Sequence, residues 1–235
     1  MKMFKFIALN LFVLGLSACG GDGDGSGSTP DLSDSDAVYE LEFKTNWTAA
    51  NFATNFPSDR HFSGLIGLTH NSNAKLFEAG TLASNGIVSM AETGAKGTLK
   101  AEIEGLQNQG DSHSTVDGGG IPASASSVTL TFGISQDHPL VSVVTMIAPS
   151  PDWFTGINSV PLFVDGKWVE ELEIQLISYD AGSDSGVTFS SANLATTPRA
   201  TVTKLTTDRA DTDFENGVHA VTSQSIGTFT LKKVN

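Results

Sequence analysis

An all-β fold, an antiparallel β-sandwich of about eight strands with short helical insertions, is what this chain predicts, and three observations carry it. Apolar and polar residues alternate with period two in several separate runs. The 24 glycines and 14 phenylalanines suit a turn-rich β protein better than a helical bundle. The 235 residues, 39% apolar and 17% charged, are enough to bury one large core without covalent staples, and the single cysteine excludes an internal disulfide.

The runs follow one another along residues 37–235, the globular part. Tyr39, Leu41 and Phe43 interleave with Val38, Glu40, Glu42 and Lys44. Val128, Leu130 and Phe132 alternate with threonines. Leu172, Ile174 and Leu176 alternate with Glu173, Gln175 and Ile177, and Ile226, Phe229, Leu231 and Val234 close the chain on a β-like segment. Leu140–Ala148 is apolar nearly throughout and predicts a central strand. One stretch differs. Residues 89–107 carry Met90, Leu99, Ile103 and Leu106 among good helix formers, interrupted by Gly94, Gly97 and Gly105, which predicts one or two short helices.

Residues 1–18 have the layout of a signal peptide: basic Lys2 and Lys5, an apolar run from Phe6 to Leu16, then small Ser17 and Ala18. The run is too short to span a bilayer as a helix. Leu16-Ser17-Ala18-Cys19 resembles the bacterial lipobox, which implies diacylglycerol on the Cys19 sulfur and cleavage that makes Cys19 the mature terminus. Several acyl chains on one residue hold a protein on a bilayer where one would be marginal. By the same resemblance, Gly20 after the cysteine points to the outer membrane, with the domain periplasmic or surface-exposed. Residues 19–36, rich in glycine, serine and aspartate, offer nothing to bury and read as a lipid-anchored flexible linker. Asp22 and Asp24 do not begin a hand-type calcium loop, because the twelfth position from Asp22 is Ser33 rather than glutamate.

Net charge is −13 from 13 basic and 26 acidic residues. Without Lys2 and Lys5 there are 11 basic residues against 26 acidic, or −15. Such a surface repels phosphate backbones, so nucleic acid is not an expected partner, and divalent cations are natural counterions.

Two segments carry most of the chemistry. Pro149-Ser150-Pro151-Asp152-Trp153-Phe154 is followed by Tyr179-Asp180-Ala181-Gly182-Ser183-Asp184-Ser185-Gly186, and then by Thr188-Phe189-Ser190-Ser191 and Asn193-Leu194-Ala195-Thr196. Upstream stand Leu65-Ile66-Gly67-Leu68-Thr69-His70-Asn71, Ala83-Ser84-Asn85-Gly86 and Ala91-Glu92-Thr93-Gly94. Together these resemble the spondin amino-terminal domain family over about residues 38–206. The resemblance implies an antiparallel sandwich with a calcium ion held by loops at one end, its ligands falling on Asp152, Asp180 and Asp184. It also implies an acidic residue on the strand before Asp152, where alignment places Gly133, and a half-cystine near Phe163 that this chain lacks. Calcium takes several oxygen ligands in flexible geometry, and carboxylates from two loops supply them. The plainer reading is that each aspartate is a turn former bonding its own backbone.

Trp153 and Phe154 are candidates for an exposed tip contacting a protein or glycan ligand, with packing beneath the loop as the alternative. His61, His70, His113, His138 and His219 never fall at zinc-helix spacing, and His70 and His138 read as hydrogen-bonded structural residues. No serine-hydrolase motif is present. Asp208, Asp211, Asp213 and Glu215 form a second acidic cluster, read as a solvated loop. The function expected is that of a non-catalytic, membrane-anchored extracytoplasmic lipoprotein with a calcium-binding domain for adhesion or ligand binding. The alternative is an envelope glycan- or peptide-acting hydrolase using the same carboxylates.

Overall fold

A computed structural model describes residues 32, 35–52, 55–205 and 225–235. Residues 1–31, on which the expected leader, Cys19 and most of the expected linker fall, the acidic stretch 208–215 and His219 lie outside the described residues. Strands β1 (Ala37–Thr45), β2 (His61–Phe62) and β3 (Ile66–His70) lead to helices α1 (Asn85–Thr93) and α2 (Gly97–Gln109). Then come β4 (Ser112–Asp117), β5 (Ser127–Ile134), β6 (Leu140–Ala148), β7 (Trp153–Pro161), β8 (Phe163–Val164) and β9 (Lys167–Trp168). The chain ends with β10 (Glu171–Gln175), β11 (Ile177–Asp180), β12 (Thr203–Lys204) and β13 (Gly227–Lys233).

Two antiparallel sheets face each other. One has four strands in the order β10-β13-β1-β5; the other has seven, β12-β11-β7-β6-β3-β4 with β2 against β6. β1 shows why the alternation folds this way. Tyr39, Leu41 and Phe43 are fully buried, and Glu40 and Lys44 on the opposite side are exposed. The inward side chains of β1 and β13, Phe229 and Leu231 among them, meet Val141, Val143, Ile147 and Trp153 from β6 and β7.

A third layer covers the other face of the seven-stranded sheet. Ile66, Leu68, Val144, Met146 and Phe154 pack against Ile87, Met90, Leu99 and Ile103 of the helices. β6 is therefore buried on both sides, which is why its sequence is apolar without alternation. The helices are stopped by glycines in the left-handed region, Gly94 (φ 70°) after α1 and Gly110 (φ 78°) after α2. Ser84 Oγ accepts from Ile87 N–H at 3.1 Å, and Glu102 of α2 accepts from Gly86 N–H at 2.7 Å, so α2 helps satisfy the start of α1. The helical stretch begins four residues before the expected Ser89, and its cap explains where.

One expectation needs correcting. The alternation from Leu172 to Ile177 reads as a single strand, whereas the structure breaks it at Leu176. β10 belongs to the four-stranded sheet, Leu176 N–H donates to Gly227 O at 2.9 Å, and β11 then pairs with β7 in the other sheet. A chain crossing between layers keeps its apolar period, so periodicity does not reveal the crossing. No helix among the described residues is long and apolar enough to cross a membrane.

Candidate metal centre

Antiparallel pairing assembles the acidic end of the sandwich. β7 begins just after Asp152 and β11 ends on Asp180, in a register that sets Asp180 opposite Trp153. Asp152 and Asp180 thus reach the same end of the sheet from opposite directions. Ser150 Oγ accepts from Trp153 N–H at 3.1 Å and closes the turn that aims Asp152.

The surroundings of Asp152 are uneven. Its Oδ2 accepts from Ser183 N–H at 2.7 Å, Asp184 N–H at 3.0 Å and Ser183 Oγ at 3.2 Å. Its Oδ1 is buried with no hydrogen-bond partner. Burial, and then the neighbouring charge of Asp180, push the Asp152 carboxyl up to about 6 despite those three donors. Asp180 is itself buried, and its Oδ1 accepts from Gly182 N–H at 2.7 Å. Two carboxylates held close in a low-dielectric loop end, one with an unsatisfied oxygen, form a buried acidic pair.

Asp184 stands apart from this pair. Its Oδ1 accepts from Gly186 N–H at 2.7 Å and its Oδ2 from Leu194 N–H at 2.9 Å, so both oxygens serve its own loop. Its backbone N–H, not its side chain, faces Asp152. The three aspartates singled out from sequence therefore converge, but only Asp152 and Asp180 bring carboxylates together. Among the described residues, no three His, Cys, Asp or Glu side chains gather closely enough to hold a metal by themselves. Any cation here needs backbone carbonyls or water to complete its shell.

The loop between these aspartates turns on Gly182. Its φ is +76°, and a Cβ there would lie 2.3 Å from Ala200 O, whose residue donates its N–H to Gly182 O at 2.8 Å. Gly182→Ala is expected to destabilise the protein by roughly 2 kcal/mol or more, combining left-handed strain with the clash. A thermal melt within a degree of wild type would show that the loop relaxes instead. Beside the loop lies an open depression of about 520 Å³, lined in part by Asp180, Asp184, Val187, Thr203 and Lys204.

Trp153 and Phe154 do not form an exposed tip; both are fully buried. Successive residues of β7 point to opposite faces, and both faces are covered. Trp153 enters the inter-sheet core with its ring 5.3 Å from that of Phe189, which in turn lies 5.4 Å from Trp47. Phe154 faces the helical layer, edge-on to Phe77 at 5.1 Å and stacked on Tyr179 at 5.4 Å. Among the described residues, the large apolar side chains exposed beside the acidic loop are Leu194 (61% exposed) and Val187 (42%). Isolated aliphatic residues in a serine-rich loop carried no sequence signal for this.

Gly133 is also misplaced by the alignment. It pairs with Val38 at the start of β1, whereas Trp47, beyond the end of β1, is at the Phe189–Trp153 cluster. The two ends are separated by the length of β1, on the order of 25 Å. A side chain at position 133 would meet Ser35 and Leu32 rather than Asp152, so its absence takes nothing from the acidic site. His70 is buried as expected, with Nδ1 2.7 Å from Asn71 O and Nε2 2.8 Å from Ser142 Oγ, and burial lowers its pKa.

Fold and site define an antiparallel β-sandwich module with a buried acidic loop cluster at one end. The Spondin_N family model matches residues 37–226, and the chain belongs to the spondin N-terminal family. Spondin-2 of Rattus norvegicus and spondin-2 of Homo sapiens are each 36% identical to it over 174 residues, 72% of this chain and 53% of theirs. Spondin-1 of Gallus gallus is 34% identical over 183 residues, 72% of this chain and 22% of that protein. The chain spans about half the length of the spondin-2 relatives it matches.

Proposed function

We propose that this is a membrane-anchored extracytoplasmic lipoprotein whose spondin-type sandwich binds calcium and serves adhesion or ligand binding without catalysis. The observation that carries the calcium reading is Asp152, fully buried, with an unpartnered Oδ1 and a second carboxylate, Asp180, beside it. Asp152 and Asp180 would hold the ion, and the Asp152 oxygen without a hydrogen-bond partner would face it. Asp184 supports the site differently from a direct ligand: its carboxylate ties residues 184–194 into one loop, and its N–H orients Asp152. Anchoring rests on the lipobox-like run before Cys19, and the bilayer is then the first partner. The protein or glycan ligand would meet the loop end carrying Leu194 and Val187.

Isothermal titration of calcium into the Cys19→Ser chain tests the site. Saturable binding in the weak range of extracellular modules, roughly 10⁻⁴ to 10⁻³ M, is expected. Asp152→Asn and Asp180→Asn should each abolish it, while Asp184→Asn weakens it without abolishing it. Equal binding by wild type and Asp152→Asn would remove the basis of the proposal. The anchor is tested separately: metabolic labelling with a fatty acid should mark the wild-type chain and leave Cys19→Ser unlabelled.

A further inference from the structure

The four-stranded sheet has two edges, and the structure treats them differently. At the β5 edge, Gly118, just after β4, lies so close to Leu130 that a Cβ there would fall 2.5 Å from its Cδ2, so the second sheet closes over that side. At the other edge, β10 pairs only with β13 among the described residues. The register fixes which of its backbone groups face outward. Lys233 N–H donates to Glu170 O and Leu176 N–H to Gly227 O, each at 2.9 Å, so even-numbered positions around β10 bond to β13. By antiparallel alternation the N–H and C=O groups of Glu171, Glu173 and Gln175 point away from the sheet.

The side chains repeat the asymmetry. The core-facing row Leu172, Leu231, Leu41, Leu130 is buried at its last three positions and only half-buried at Leu172. The next row runs Ile174, Phe229, Phe43, and again the β10 residue is the half-buried one. On the solvent side Glu171, Glu173 and Gln175 are exposed. One further strand would complete both apolar rows and take up the outward backbone groups.

We propose that the β10 edge is a strand-addition site for an extended partner segment in which lysine or arginine alternates with aliphatic residues. A second copy of this chain is a poor occupant. Antiparallel self-pairing centred on Glu173 sets that carboxylate against its own copy, a like-charge pair that opposes association. A basic residue at the same place is attracted instead. The chain's own β13 already shows this chemistry on the inner edge, with Lys232 opposite Glu171 and Leu231 opposite Leu172. The site is independent of the calcium reading, since β10 contains none of the loop aspartates.

The test uses a fluorescent seven-residue peptide alternating lysine with leucine, titrated into the Cys19→Ser chain and followed by anisotropy, with calcium and with chelator. Saturable binding is expected in both conditions. Glu173→Pro removes an outward N–H while leaving the β13 ladder intact, and should weaken binding about tenfold. Glu171→Lys with Glu173→Lys should weaken it at least as much, and this second variant keeps the test decisive if the proline variant melts early. A peptide with proline at its centre should bind poorly. Absence of saturable binding, binding by both variants as tight as that of the otherwise unaltered Cys19→Ser chain, or a wild-type dimer that the charge-reversal variant abolishes would each overturn the proposal.

Discussion

Asp152→Asn raises the melting temperature of the protein in chelator at pH 7, contrary to what replacing a fully buried, hydrogen-bonded residue ordinarily does. Ionised Asp152 is held beside Asp180 with one oxygen unpartnered, and its carboxyl is pushed up to about 6. Relative to an ordinary aspartate, that shift costs the folded state on the order of 2–3 kcal/mol once the group is ionised. Asparagine keeps an oxygen for the Ser183 and Asp184 donors and carries no charge. The expected gain is roughly 2 kcal/mol, or roughly 4–8 °C for a chain of this size. The pH dependence follows in sign. Because the folded pKa is raised, the native state keeps a proton between about pH 4 and 6 that the unfolded state has released. Stability of the calcium-free wild type therefore falls as pH rises through that window, and its destabilising contribution is complete above it. Asp152→Asn lacks this part of the slope. Melting curves in chelator from pH 4 to 8 decide the matter: a variant less stable than wild type at pH 7 means the carboxylate is compensated by groups other than a cation.

Trp153→Ala loses roughly 3–5 kcal/mol, the range for removing a large aromatic side chain from a close-packed core. Trp153 is fully buried between the sheets and belongs to a chain of ring contacts through Phe189 to Trp47. An exposed contact residue at the same position would change stability by about half a kcal/mol or less. Urea unfolding separates the two readings, since the midpoint should fall sharply at an unchanged m value. The same substitution should reduce calcium affinity, because the turn ending at Trp153 aims Asp152.

Much of the fold was legible from residue order. The alternation in β1, β5 and β13 identified the strands and which face each buries, because an exposed strand face has to be polar. The continuous apolar run of β6 marked a strand covered on both sides. Gly94 and the helix formers around it located the helical insertion. The transfer of the chain between sheets at Leu176 was not legible, since both sheets demand the same period from the residues they bury. Residue order could not decide between an exposed tip and packing for the aromatic pair after Asp152, for a related reason: Trp-Phe in a loop-flanked motif looks the same whether it tops a loop or begins a strand buried on both sides.

The site divides along the same line. Asp152, Asp180 and Asp184 could be named from sequence, because carboxylates among glycine and serine are conspicuous and their order resembles a family motif. Their division of labour depended on tertiary contacts. Asp184 spends both oxygens on its own loop, whereas Asp152 is buried against residues 183–184, thirty-odd positions along the chain. Only the folded chain shows which carboxylate keeps an oxygen free, because that depends on which backbone donors reach it. By itself, the sequence determined a β-sandwich, an acidic motif and a resemblance to the lipobox before Cys19, all of them local patterns of polarity and spacing. The tertiary structure decided which sheet each strand joins, which aromatic rings are buried, which two aspartates lie side by side and which sheet edge is unpaired among the described residues. Each of those depends on neighbours distant in sequence, and no local pattern carries that information.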